Sequence, residues 1–182
     1  MGKRLSIWIL HLFGWKITGF PPDPPLKYIV AAAPHTSNWD FPLGLLVREA
    51  LGQKIRFLGK HTLFYPPLGW IMRWLGGYPV DRRKRGNIVD AVVDIFNSHK
   101  AFAITIAPEG TRKKVDKLKT GFYYMAKKAG VPILICRFDY AHKLVTFGPF
   151  FYPGEDTEKD MATITNFFKG VRGRHPELGF LD

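Results

Sequence analysis

The chain reads as an α/β protein, a single domain with a mixed, largely parallel sheet flanked by helices. Three observations predict this class. Short uncharged apolar runs recur at residues 28–33, 101–107 and 131–136, with the length and composition of strands buried on both faces. Between them lie segments of helical period, clearest at Ile88, Val89, Val92, Val93 and Phe96. A length of 182 residues suits one domain with a sizeable core.

In order along the chain, residues 3–17 form a Trp- and Leu-rich segment with Lys3, Arg4 and Lys16 at its ends. Its apolar part, Leu5 to Trp15, falls short of the roughly 20 residues a membrane span requires, and it lacks a small-residue cleavage site. The expectation for residues 1–18 is an amphipathic helix lying in a membrane interface; the alternative is a helix packed on the protein's own core. Residues 19–27 read as a stiff connector, because Pro21, Pro22, Pro24 and Pro25 forbid a helix, and residues 28–182 as the catalytic body. There a strand over Tyr28–Ala33 ends at Pro34, and a helix over Asp40–Leu51 closes at Gly52. A strand over Lys54–Gly59 leads into the apolar segment Leu63–Val80, where only Arg73 is charged. A helix over Gly86–Ser98, a strand over Ala101–Ala107 and a helix over Thr120–Lys128 ended by Gly130 follow. Strands over Val131–Phe138 and Leu144–Phe147 precede a last helix over Thr157–Arg172, with Thr157 and Asp160 as a capping box.

Two strand exits carry chemistry. His35 and Asp40 stand five residues apart between the first long strand and its helix, the place where α/β proteins bind ligands. A neutral imidazole can take a proton from an attacking hydroxyl, while a carboxylate on its other nitrogen fixes the tautomer and stabilises the imidazolium. No Ser or Cys nucleophile is needed if the substrate brings the hydroxyl. Taken alone, the pair reads equally well as a surface histidine beside a helix-capping aspartate. The second exit, Pro108-Glu109-Gly110-Thr111-Arg112, releases a carboxylate, a hydroxyl and a guanidinium together. Glu and Arg can pair across a turn that glycine allows, and Thr with Arg can hold a phosphate.

Together these blocks resemble the glycerolipid acyltransferases of the lysophosphatidate acyltransferase type. The His-x4-Asp block runs from His35 to Asp40 with Ser37 in place, and the Pro-Glu-Gly-Thr-Arg block from Pro108 to Arg112. Gly77-Tyr78-Pro79-Val80-Asp81-Arg82 is similar to the family's Gly-x-x-x-Asp-Arg block, and Val131-Pro132-Ile133 to its Val-Pro-Ile block. Lys60, Pro67 and Gly69 match the lysine, proline and glycine that precede the second block. The blocks come in family order. Departures at Pro34, Thr62, Lys113 and Leu134 bear on the acyl acceptor more than on the reaction type.

The resemblance implies a glycerolipid-acyltransferase-like fold and acyl transfer from acyl-CoA or acyl-carrier protein to a lyso-lipid hydroxyl, in phospholipid biosynthesis. His35 is then the general base and Asp40 orients it. Lys60 and Arg82 bind the acceptor phosphate, and Glu109, Gly110, Thr111 and Arg112 shape the acceptor site. Because a carboxylate repels phosphate, Glu109 can instead pin Arg82 or Arg112 in an ion pair. Segment 63–80 is then core, a wall of an acyl-chain tunnel, or a surface dipping into lipid. Lysophosphatidate is the leading acceptor; another lyso-phospholipid, an amino-lipid, or a non-catalytic membrane-binding role are the alternatives.

A net charge of +12 calls for an anionic partner. The clusters Arg82-Arg83-Lys84-Arg85 and Arg112-Lys113-Lys114 directly follow the two blocks, which favours an anionic substrate or an anionic membrane surface over nucleic acid. No RRM or helix-turn-helix signature accompanies the charge. No metal-ligand spacing and no nucleotide loop is present, so no metal or resident cofactor is expected. The lone Cys136 reads as inert packing in a reducing compartment. The expected location is peripheral, on the cytoplasmic face of a membrane.

Overall fold

The computed structural model describes residues 2–80 and 88–179. Seven strands form one sheet: β1 (Lys16–Thr18), β2 (Lys27–Ala33), β3 (Ile55–Lys60), β4 (Gly77–Val80), β5 (Phe102–Ile106), β6 (Ile133–Asp139) and β7 (Leu144–Phe151). Their spatial order is β1-β7-β6-β2-β5-β3-β4. The block β6-β2-β5-β3-β4 is parallel throughout, β7 joins β6 antiparallel, and β1 runs parallel to β7. The expected mixed, largely parallel sheet is therefore present.

Helices cover both faces. They are α1 (Lys3–Leu12), α2 (Asp40–Leu51), α3 (Leu68–Trp74), α4 (Ile88–Ser98), α5 (Gly121–Ala129) and α6 (Thr157–Phe167). The side-chain period of two along β2 divides the core between the faces. Ile29, Ala31 and Ala33 pack with Val92 and Phe96 of α4, Phe122 and Tyr123 of α5, and Ile164 of α6. Tyr28, Val30 and Ala32 pack with Leu43 and Val47 of α2 and Leu10 of α1. A strand buried on both sides has no polar face, which is why Tyr28–Ala33 is a continuous apolar run. Cys136 lies in the second core, where burial pushes its thiol pKa up and leaves it inert.

After β2 the chain moves outward to β3 and β4, returns to β5 beside β2, and then crosses to β6 on the other side. β2 is thus where the winding reverses, and the crevice beyond its C-terminal end is the expected ligand site.

Several features differ from the sequence reading. β7 runs on to Phe151 rather than ending at Phe147. The first helix ends at Leu12, and residues 16–18 are an edge strand rather than its last turn. The N-terminal segment is not separated from the body: Ser6 and Leu10 are buried against it and β1 joins the sheet. Packing on the protein's own core, the alternative reading, therefore holds for one side of the helix, while its other side exposes Leu5, Trp8 and Leu12, with Phe13 just beyond its end. The last helix ends at Phe167, not Arg172, and the chain turns away through Gly170 at φ +73°. Its cap is Asp156, whose carboxylate accepts the Lys159 N–H at 3.0 Å. Asp160, expected in that cap, instead accepts the Tyr123 hydroxyl at 2.8 Å and the Gly154 N–H at 2.6 Å.

Candidate active site

The loop between β2 and α2 places His35 and Asp40 side by side. His35 Nδ1 lies 3.0 Å from Asp40 Oδ2. The Asp40 side chain is 1% exposed and that of His35 29%, so the carboxylate is internal and the imidazole reaches the surface. A buried carboxylate requires donors, and Asp40 has three. Oδ2 also accepts the Ser37 N–H at 2.8 Å, and Oδ1 accepts the Tyr140 hydroxyl at 2.6 Å. Burial, then the hydrogen bond and charge of Asp40, push the Tyr140 phenol pKa up, so it stays a donor. With Nδ1 committed to Asp40, Nε2 on the far side of the ring is the basic nitrogen.

Glu109 leaves β5 next to this loop, because β5 pairs with β2 in the register Ala31 opposite Ile106. Its carboxylate is buried and accepts the His35 backbone N–H with both oxygens, at 3.0 and 2.8 Å. Among the described residues it forms no ion pair with Arg112; it holds the main chain of the proposed base. Burial is the main reason its pKa rises from 4.5 to about 7; the His35 N–H and the His35 charge oppose the rise, and Asp40 adds to it.

Gly110 sits at φ +67°, and the Lys119 side chain crosses so close that a Cβ there would meet Nζ at 2.8 Å. Thr111 Oγ1 accepts the Lys113 N–H at 3.2 Å and so shapes the turn. The exposed Arg112 guanidinium donates to Asn38 Oδ1, on the loop that joins His35 to Asp40.

The acyltransferase family profile matches residues 21–138, which holds both blocks and the strands that bring them together. The chain belongs to the acyltransferase family. It is 30% identical over 131 residues to the 1-acyl-sn-glycerol-3-phosphate acyltransferase of Escherichia coli, covering 68% of this chain and 52% of that protein. It is 33% identical over 84 residues to the enzyme of that name from Saccharomyces cerevisiae, covering 41% of this chain and 27% of the yeast protein. The chain thus spans about half the length of the bacterial relative. The crystal structure of the 1-acyl-sn-glycerophosphate acyltransferase PlsC from Thermotoga maritima shares the fold, with a TM-score of 0.65 at 19% identity over 91% of this chain and 74% of that one.

Among the described residues, the structure does not gather every expected site residue around His35. Lys60 is exposed at the C-terminal end of β3, beside Val80 of β4. β5 stands between β3 and β2, so at about 4.8 Å per strand Lys60 exits roughly 10 Å along the sheet from the His35 loop. Arg82 lies outside the described residues.

Two contributions were missed in the sequence. Tyr140 stands just past β6, so it shares with His35 and Glu109 the signal of a polar residue at a strand exit. Segment 171–179 gives no local signal, yet it folds back over the site: the His175 N–H donates to Thr36 Oγ1 at 3.2 Å, and the Tyr140 N–H to the Arg172 carbonyl at 2.9 Å. Both lie beyond the family match.

Proposed function

We propose that the chain transfers a fatty acyl group from a thioester donor, acyl-CoA or acyl-carrier protein, to the hydroxyl of a lyso-lipid, with 1-acylglycerol-3-phosphate the leading acceptor, in phospholipid synthesis. The observation that carries this reading is the half-exposed His35 fixed at Nδ1 by the buried Asp40 at a strand exit. The acceptor hydroxyl gives its proton to His35 Nε2 as its oxygen attacks the thioester carbonyl. The C–S bond then breaks, and the leaving thiolate takes the proton from the imidazolium. Asp40 stabilises that imidazolium, and no acyl-enzyme is required because the thioester is already activated.

Glu109 keeps His35 in place through its backbone. Arg112 with Thr111, and Lys60 with Arg82, supply the donors that hold an anionic head group. The acceptor comes from a membrane surface. Supporting this, α1 exposes Trp8 and Leu12, α3 exposes Trp70 and Trp74, and the chain carries a +12 charge suited to anionic lipid. No described helix is long and apolar enough to cross a membrane; the contact in this reading is peripheral and on the cytoplasmic face, where the acyl donor is found.

Thiol release from palmitoyl-CoA, with and without lysophosphatidate, tests the reading on wild type and His35→Ala. Acceptor-dependent release that disappears in the variant is the expected result. Release that persists in His35→Ala, or no release with CoA and carrier-protein donors across a panel of lyso-lipids, refutes it.

A further inference from the structure

Segment 171–179 is held on the catalytic loop by more than surface contact. Gly173 is buried against Thr36 so closely that a Cβ would lie 2.5 Å from Thr36 Oγ1 and 3.2 Å from Pro34 Cγ. With the hydrogen bonds from Tyr140 and His175, this contact fixes the backbone on both sides of Arg174. The Arg174 guanidinium lies over the exposed Trp39 ring, 5.2 Å from its centroid. It is also near enough to Tyr140 for its charge to oppose the rise of that phenol's pKa, which ties it to the His35–Asp40–Tyr140 chain.

Arg174 and Arg112 line one open cleft of about 450 Å³, whose floor is Thr36 to Trp39. Each guanidinium is positioned by an uncharged partner, Trp39 for one and Asn38 for the other. Among the described residues neither is in an ion pair with a carboxylate; Glu177, on the same segment, faces His175 Nδ1 at 3.5 Å. Two guanidinium forks on one cleft, each oriented by an uncharged partner, suit the oxygens of a phosphate dianion.

The geometry points to a phosphate-monoester site formed by Arg112 and Arg174 beside the loop that joins His35 to Asp40, completed by a C-terminal segment outside the family match. Its part in acyl transfer rests on the proposed function; its capacity to bind phosphate does not. The phosphate can come from the acceptor head group or from the 3′-phosphate of CoA, and both sources present the same dianion.

Phosphorus NMR titration of the full chain tests the site with glycerol 3-phosphate, and calorimetry with CoA and dephospho-CoA; glycerol is the neutral control. Arg174→Ala weakens glycerol 3-phosphate binding by about 10- to 100-fold, Arg174→Lys recovers part of it, and glycerol binds neither protein. If Arg174→Ala instead spares glycerol 3-phosphate but weakens CoA and not dephospho-CoA, the site stands with the donor as its source. Unchanged affinity for both ligands in Arg174→Ala, or no binding of either by wild type, overturns it. Binding without thiol release refutes the acyl-transfer reading and leaves the site intact. Acceptor-dependent release with normal phosphate affinities in Arg174→Ala does the reverse.

Discussion

Replacing Asp40 by Asn removes one charge and leaves the shape of the site unchanged, so it isolates what that charge does. The geometry dictates how the amide sits. Asp40 Oδ2 receives both the Ser37 N–H and His35 Nδ1, so an amide NH2 at that position would face two donors. The amide oxygen therefore takes the Oδ2 position and the NH2 turns to Tyr140, whose hydroxyl rotates to accept. His35 keeps its proton on Nδ1, and only the stabilisation of the imidazolium is lost. At 3.0 Å and an effective dielectric of about 20, the charge pair is worth about 5.5 kcal/mol, an upper bound. A neutral hydrogen bond of about 1 kcal/mol survives, and partial solvation of the imidazole takes a further share, leaving a loss of about 2–4 kcal/mol. That corresponds to a fall of about 30- to 1000-fold in kcat. The assay is thiol release at saturating acceptor, with nitrogen NMR of the His35 ring to report the tautomer. A rate within about threefold of wild type would refute the charge role. An inverted tautomer, which elsewhere costs about 10⁴-fold, would refute the argument for the amide orientation.

Three other expectations follow from the same contacts. Tyr140→Phe deletes the donor to Asp40 Oδ1 and leaves a buried acceptor unsatisfied; stability should fall by about 1–3 kcal/mol and kcat by about tenfold with KM unchanged, read by denaturation and steady-state kinetics. Burial raises Glu109 from 4.5 to about 7, so between those values the folded protein holds a proton that the unfolded chain releases. Stability should therefore decline by about 3 kcal/mol as pH rises through that window and level off above it; urea denaturation of Glu109→Gln should lack this slope, and an identical slope would remove Glu109 as its source. Trp8→Ala with Leu12→Ala strips two exposed apolar side chains from α1 and should weaken co-sedimentation with anionic vesicles by about tenfold or more while leaving the phosphate affinity of the soluble chain unchanged.

Legibility in the sequence followed the range of the interactions. β2, β5 and β6 were readable because a strand covered on both faces must be apolar throughout, and the His35–Asp40 pair because one short loop sets its geometry. Glu109 was found, but not what it does. Chemistry within its own turn suggested an arginine partner, whereas the pairing of β5 with β2 supplies the His35 N–H. The three residues of β1 are too few to show a period of two, so in the sequence they read as a continuation of the helical pattern before them. Segment 171–179 has no apolar period at all; its position depends on Gly173 fitting against Thr36, a contact between residues far apart in sequence.

β2 lies at the centre of the sheet, hydrogen-bonded on both edges and covered on both faces. Its amides should exchange with solvent only when the whole molecule opens, whereas the outward-facing α1 and α3 belong to parts that can open locally. Pro34 alone thus separates His35 from the strand expected to exchange most slowly. α1 and α3, which present Trp8, Trp70 and Trp74 outward, should open locally without unpairing the strand that leads to His35.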